Sequence, residues 1–100
     1  MIKDIRAKFA HNEFEFSRHA TDQAILRHIS VREIREAMEN GEIVENYPHD
    51  KYGPSCLILG FTQQGRGLHV QCAYPAKLIK VITVYEPDLA EWDDFRVRRR

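Results

Sequence analysis

The sequence predicts a small α+β domain, with helices packed on one face of an antiparallel sheet of about four strands. Three observations lead there. Helical spacing and capping residues are confined to the stretch that ends at Asn40-Gly41. Apolar and β-branched runs fill the stretch from Glu42 to Tyr85. A chain of 100 residues builds one modest core, so residues 1–100 read as a single domain.

The elements follow in order. Ile2, Ile5 and Phe9 recur at helical spacing in Met1–Ala10, and His11-Asn12-Glu13 breaks that helix. Glu13–Ser17 alternates, with Phe14 and Phe16 on one face, which predicts a brief strand. A second helix runs from Ser17, a suitable N-cap, to about His28. His19, Gln23 and Arg27 form one polar stripe on it, and Ile25, Leu26 and Ile29 supply the packing face. Ala20 and Ala24 are small enough to let the helix lie close to a sheet. Ser30-Val31-Arg32-Glu33 is a capping box that opens a third helix. Val31, Ile34, Ala37 and Met38 make its buried stripe, and Arg32–Glu36 and Arg35–Glu39 are exposed pairs. Asn40-Gly41 ends it, with Gly41 suited to a left-handed position.

Four strands follow. Glu42–Tyr47 alternates, and a loop over 48–54 leads into Ser55–Phe61, an apolar run suited to a central strand. Thr62-Gln63-Gln64-Gly65 turns a hairpin into Leu68–Ala73, and a turn at Tyr74-Pro75-Ala76-Lys77 leads into Leu78–Tyr85. Glu86-Pro87-Asp88 stops the sheet. Arg96, Arg98, Arg99 and Arg100 then form a basic end (96–100), expected as a frayed, solvated tail.

Composition narrows the function classes. The 15 basic and 15 acidic residues balance, so no global charge argues for a polyanionic partner. No apolar run approaches the ~20 residues of a membrane span, and the charged N-terminus lacks a signal-peptide core, so a cytoplasmic location without membrane contact is expected. Cys56 and Cys72 fit that setting as buried free thiols. They fall opposite each other if Phe61 pairs with Gly67, which leaves a disulfide open as the alternative. The spacing of Cys and His offers no metal site, and no cofactor is expected.

His69, Arg66, His19 and Arg27 are the residues whose chemistry stands out. A histidine in an apolar strand, just after an arginine, is an unusual local choice. Cleaving RNA without a metal requires a base for the 2′-OH, an acid for the leaving 5′-oxygen, and positive charge on the phosphate. Histidine titrates near neutrality, and arginine offers a planar fork of donors. Each residue also has a plainer role: His69 as a satisfied strand histidine, His19 at a helix start, Arg27 in a surface ion pair.

The runs FSRHATDQAILRHIS, EIREAMENGEIVENYP, PSCLILG, GRGLHV and ITVYEPD resemble a bacterial family of unknown function, over about residues 14–92. That family is grouped with the RelE/ParE toxin superfamily and is often paired with an MqsA-like zinc-finger antitoxin. The resemblance implies a RelE-like fold, with helices on a twisted antiparallel sheet, and an mRNA endonuclease, ribosome-dependent or free. His19, Arg27, Arg66, His69 and Tyr85 match its recurring polar positions.

Two functions stay open. One is a toxin that cleaves mRNA without a metal, with His69 and His19 moving protons, Arg66 and Arg27 holding phosphate, and Tyr85 stacking or orienting. Its partner would be a cognate antitoxin, of zinc-finger or helix-turn-helix type, covering the His69 face. The other is a non-catalytic binding module on the same scaffold, aimed at a protein partner or a gyrase-type target.

Overall fold

Helix α1 (Ile2–Ala10) is followed by the short strand β1 (Phe14–Phe16), helix α2 (Arg18–Leu26) and helix α3 (Val31–Glu39). Strands β2 (Glu42–Tyr47), β3 (Ser55–Phe61), β4 (Gly67–Ala73) and β5 (Ile79–Tyr85) come next, and a small pair, β6 (Trp92–Asp93) and β7 (Val97–Arg98), follows them. This computed structural model describes residues 1–51, 53–74 and 77–99. Pro75 and Ala76 of the expected turn, the loop residue Tyr52 and the terminal Arg100 lie outside the described residues. Among the described residues, no helix is long and apolar enough to cross a membrane.

The α+β class holds, but the sheet is mixed and has five strands, in the order β1-β5-β4-β3-β2. Strands β2 to β5 form the expected antiparallel meander. Strand β1 is the correction: it lies parallel to β5, pairing Phe14 with Ile79 and Phe16 with Val81. The physical reason is the edge. Without β1, the apolar strand β5 would present a row of unpaired backbone groups. The β3–β4 register pairs Phe61 with Gly67 and Cys56 with Cys72, and both cysteines are buried free thiols.

A second correction concerns the basic end. Arg96 and Arg98 are tied down by ion pairs to Glu42 at 2.6 Å and Glu45 at 3.0 Å, and Trp92 is buried. Opposite charges on β2 and β7 meet there, so the segment folds back onto the sheet.

All three helices share one core with the same sheet face, built from Ile5, Phe9, Ala24, Ile34, Met38, Ile58, Val70 and Val81 among others. Helix α2 reaches it differently from its apolar pattern. Ala20, Ala24 and Ile29 are buried, whereas Ile25 and Leu26 are each 70% exposed. Ser17 explains the choice: its hydroxyl donates to the Ile82 carbonyl and its amide to the Val81 carbonyl, drawing the start of α2 down onto β5. Only small side chains fit under a helix held that close.

Helix α3 keeps its capping box, with the Glu33 amide donating to Ser30 Oγ at 3.0 Å and the Ser30 amide to Glu33 Oε1 at 2.9 Å. The Arg32–Glu36 pair forms at 3.5 Å. Arg35 leaves Glu39 and instead donates to the Asn12 side chain, with its guanidinium over the Phe14 ring. Val31, expected in the buried stripe, is half exposed at the first turn. Gly41 is not left-handed either. Its requirement is room, because a Cβ there would stand 2.6 Å from Ile58 Cγ2.

The tightest contact is between α3 and β3. A Cβ on Gly60 would lie 1.9 Å from the Ala37 carbonyl oxygen and 2.9 Å from its Cα. Backbone touches backbone there, so nothing flexible can yield. Gly60→Ala is therefore expected to cost about 3 kcal/mol, the upper end for overpacking a core. Urea unfolding with the midpoint unchanged from wild type would show that α3 is not seated this way.

Candidate functional site

The five residues singled out by sequence do not form one cluster. The structure joins His69 to Tyr85, leaves His19 and Arg27 exposed, and engages Arg66 in a separate network.

His69 lies on β4, on the sheet face away from the helices, as alternation from Leu68 and Val70 requires. It is fully buried. Its Nε2 is 2.7 Å from the Phe95 carbonyl oxygen, and its Nδ1 is 3.2 Å from the Tyr85 hydroxyl. A carbonyl can only accept, so Nε2 carries the proton and the neutral ring's Nδ1 accepts from Tyr85. The Trp92 ring meets the imidazole edge-on, with centroids 4.5 Å apart. Burial lowers the His69 pKa, and Arg98 adds to that; the Phe95 bond and the Glu45 charge pull the other way. Burial raises the Tyr85 hydroxyl, with Glu45 and Glu91 adding to the rise and Arg98 and Arg27 opposing it. Arg27 therefore acts on Tyr85 through its charge.

Arg66 precedes β4 and turns towards the helices. Its Nη1 donates to the His28 carbonyl at 2.9 Å and to Glu33 Oε2 at 3.0 Å. Its Nη2 donates to the Arg27 carbonyl at 3.0 Å and to Glu86 Oε1 at 2.7 Å. The fork expected to hold phosphate is thus spent on the open end of α2 and on two carboxylates. Glu86 first, and Glu33 after it, raise the Arg66 pKa against the opposing cost of burial. Glu33 is held below the usual carboxylate range, first by the Ser30 amide and then by Arg66, against a burial penalty.

His19, in the first turn of α2, lines a groove of about 870 Å³ on the outer side of β5. Ser17, Gln71, Lys80, Ile82 and Thr83 line it too, and Glu15 pairs with Lys80 at 3.4 Å across its edge. Gln71 and Thr83 are cross-strand partners, as are His69 and Tyr85 in the next row of the same face. Two residues of strand separate those rows, about 7 Å. The groove therefore runs from His19 towards buried His69 and half-buried Tyr85, stopping one row short of them. Among the described residues, no three His, Cys, Asp or Glu side chains gather to hold a metal ion.

Sequence reasoning missed Gln71, Lys80 and Thr83, which carry no signal beyond strand alternation. It also missed Trp92, Phe95, Glu45 and Arg98 around His69. The one legible hint was the single tryptophan set between acidic and basic residues.

Arg66→Ala is expected to lower the unfolding free energy by about 2 kcal/mol, because it leaves two helix-end carbonyls and two carboxylates without their donor. Arg66→Lys should recover only part, since one ammonium cannot span four acceptors. An Arg66→Ala chain as stable as wild type in denaturant would mean that this network does not hold the fold.

No curated protein and no solved structure matches the chain. Residues 16–86 match a family model described as a domain of unknown function, DUF4258. That stretch contains all five residues singled out by sequence and ends before the β6–β7 pair. By this match over most of its length, the chain belongs to the DUF4258 family of unknown function.

Proposed function

We propose that this chain is a toxin of the RelE/ParE type that cleaves mRNA in the groove beside His19. The observation that carries the reading is an exposed histidine in an open groove whose inner rows lead towards a tyrosine bonded to a second histidine. His19 takes the proton of a ribose 2′-OH as that oxygen attacks the neighbouring phosphorus. The bond from phosphorus to the 5′-oxygen breaks, and the Tyr85 hydroxyl delivers a proton to the leaving oxygen. The proton on His19 returns to Tyr85 through solvent. Arg27 and Lys80 supply positive charge towards the phosphate. Gln71 and Thr83 offer donors and acceptors to base edges and ribose hydroxyls. His69 positions Tyr85 from behind, and Arg66 holds the scaffold. An antitoxin of zinc-finger or helix-turn-helix type would be the cognate partner.

The exposed Ile25 and Leu26 favour a second reading, a binding module whose α2 surface engages a protein partner.

One comparison separates the two. Incubated with mRNA, the wild-type chain should leave 2′,3′-cyclic phosphate and 5′-hydroxyl ends. His19→Ala, at an exposed position, should fold normally and cut roughly 10²–10⁴-fold more slowly. No new ends from wild type, or equal cutting by both, would end the nuclease reading at this groove. Growth arrest that survives His19→Ala but is lost in an Ile25→Asp, Leu26→Asp double variant would establish the binding module.

A further inference from the structure

We propose that the segment from Asp88 to Arg99 is a cover over the inner end of the groove, closed on neutral His69 and opened when His69 takes up a proton. This rests on the reading of the groove as the working site, whose regulation it describes.

Three observations support it independently of any activity. First, the cover lies outside the stretch that matches the family, while the residues beneath it, buried His69 and half-buried Tyr85, lie inside that stretch. Second, the ties that cross from it to β2 are two ion pairs at the rim of the sheet, one exposed on both sides and one half-buried at Glu45. Arg96 reaches Glu42 at 2.6 Å with the side chains 40% and 48% exposed, and Arg98 reaches Glu45 at 3.0 Å. An exposed pair such as Arg96–Glu42 is individually weak and screened by salt. Third, its turn holds Phe95 in a conformation that such a residue disfavours. Asp94 and Phe95 sit at φ 52° and 62°, and the left-handed region is a genuine outlier for a bulky residue such as Phe95. What keeps Phe95 there is the bond its carbonyl accepts from His69 and the packing of its ring on Phe61, in space left by Gly67. A Cβ on Gly67 would stand 2.8 Å from the Phe95 ring.

His69 is thus both the group that the cover hides and an anchor for its turn. The charged and titratable groups that face it are Glu45 from β2, Tyr85 from β5 and Arg98 from β7. Closure favours the neutral ring, so the pKa in the closed state lies below the ordinary value. The open state, with His69 in water, therefore binds more protons between the closed-state pKa and about 6.5. Closure is fully favoured above that ordinary value and is lost as pH falls through the closed-state pKa. Opening extends the groove by the His69–Tyr85 row and lets a substrate reach the Tyr85 hydroxyl.

Trp92, the chain's single tryptophan, is the buried side chain by which the cover seats on His69, and it reports on the cover directly. Acrylamide quenching of the full chain is followed with far-UV circular dichroism from about pH 7.5 to about pH 5.5. Quenching is expected to rise severalfold while the dichroism stays constant. Arg98→Ala, at an exposed position, should already show that rise at neutral pH. His69→Gln keeps a donor for the Phe95 carbonyl but cannot charge, and should lose the pH response. Trp92 staying protected until the dichroism collapses with it, or His69→Gln following the wild-type pH course, would overturn the cover. None of these readouts uses RNA, so a chain that never cleaves RNA would remove the proposed reaction and leave this result standing.

Discussion

The backbone contact between Ala37 on α3 and Gly60 on β3 is the constraint from which most of the structure follows. It sets α3 as close to the sheet as a helix can lie, and both partners must be small for that. Once α3 is seated, the Asn40 side chain bonds to both backbone groups of Phe61, acting as a short substitute for a neighbouring strand. Gly41 then passes Ile58 with no room for a Cβ and delivers the chain into β2. At its other end, α3 presents Glu33 to Arg66, and Arg66 closes the last turn of α2. A methyl group added at Gly60 would disturb each of these in turn.

The two faces of the sheet are finished by different physics. The helix face is apolar and tightly interdigitated, and its stability comes from area removed from water. The other face carries polar residues that have to be satisfied one at a time. Leu57 and Leu59 are buried there beside Gln71 and His69, their cross-strand partners. No side-chain polar atom among the described residues is buried without a partner. For His69 that requirement is met by Phe95 and Tyr85. For Tyr47 it is met by Glu45, and burial together with that carboxylate pushes the Tyr47 hydroxyl up to about 12. Glu45 also receives Arg98, so one carboxylate on β2 serves both the strand and the segment that lies across it.

This division separates the polar residues by what they are free to do. Arg66 and His69 are fully engaged, and each holds elements together. His19, Arg27 and Lys80 are exposed, and their charges or ring nitrogens face water or the groove. A side chain already bonded on every donor has little left for a ligand, whereas an exposed one gives up water or, for Lys80, a surface ion pair. That is the physical ground for placing the proton acceptor at His19 and giving His69 a supporting part; Tyr85 can act only by turning its one donor from His69 to the leaving oxygen.

Local patterning was enough for much of the fold. The capping box at Ser30, the Ser17 N-cap, the Ser55–Phe61 strand and the register that sets Cys56 opposite Cys72 all follow from residues near in sequence. These depend on short-range geometry, which a sequence states directly. The parallel pairing of β1 with β5, the outward turn of Ile25 and Leu26, the double duty of Arg66 and the burial of His69 could not be read in that way. Each is decided by a neighbour far along the chain: Ile79 for Phe14, Ile82 for Ser17, Glu33 and Glu86 for Arg66, Phe95 for His69. The sequence by itself determined which residues could be helix, strand, cap or titrating group. Only the tertiary structure decided which of those groups meets solvent, because burial and hydrogen-bond partners are properties of the packed chain.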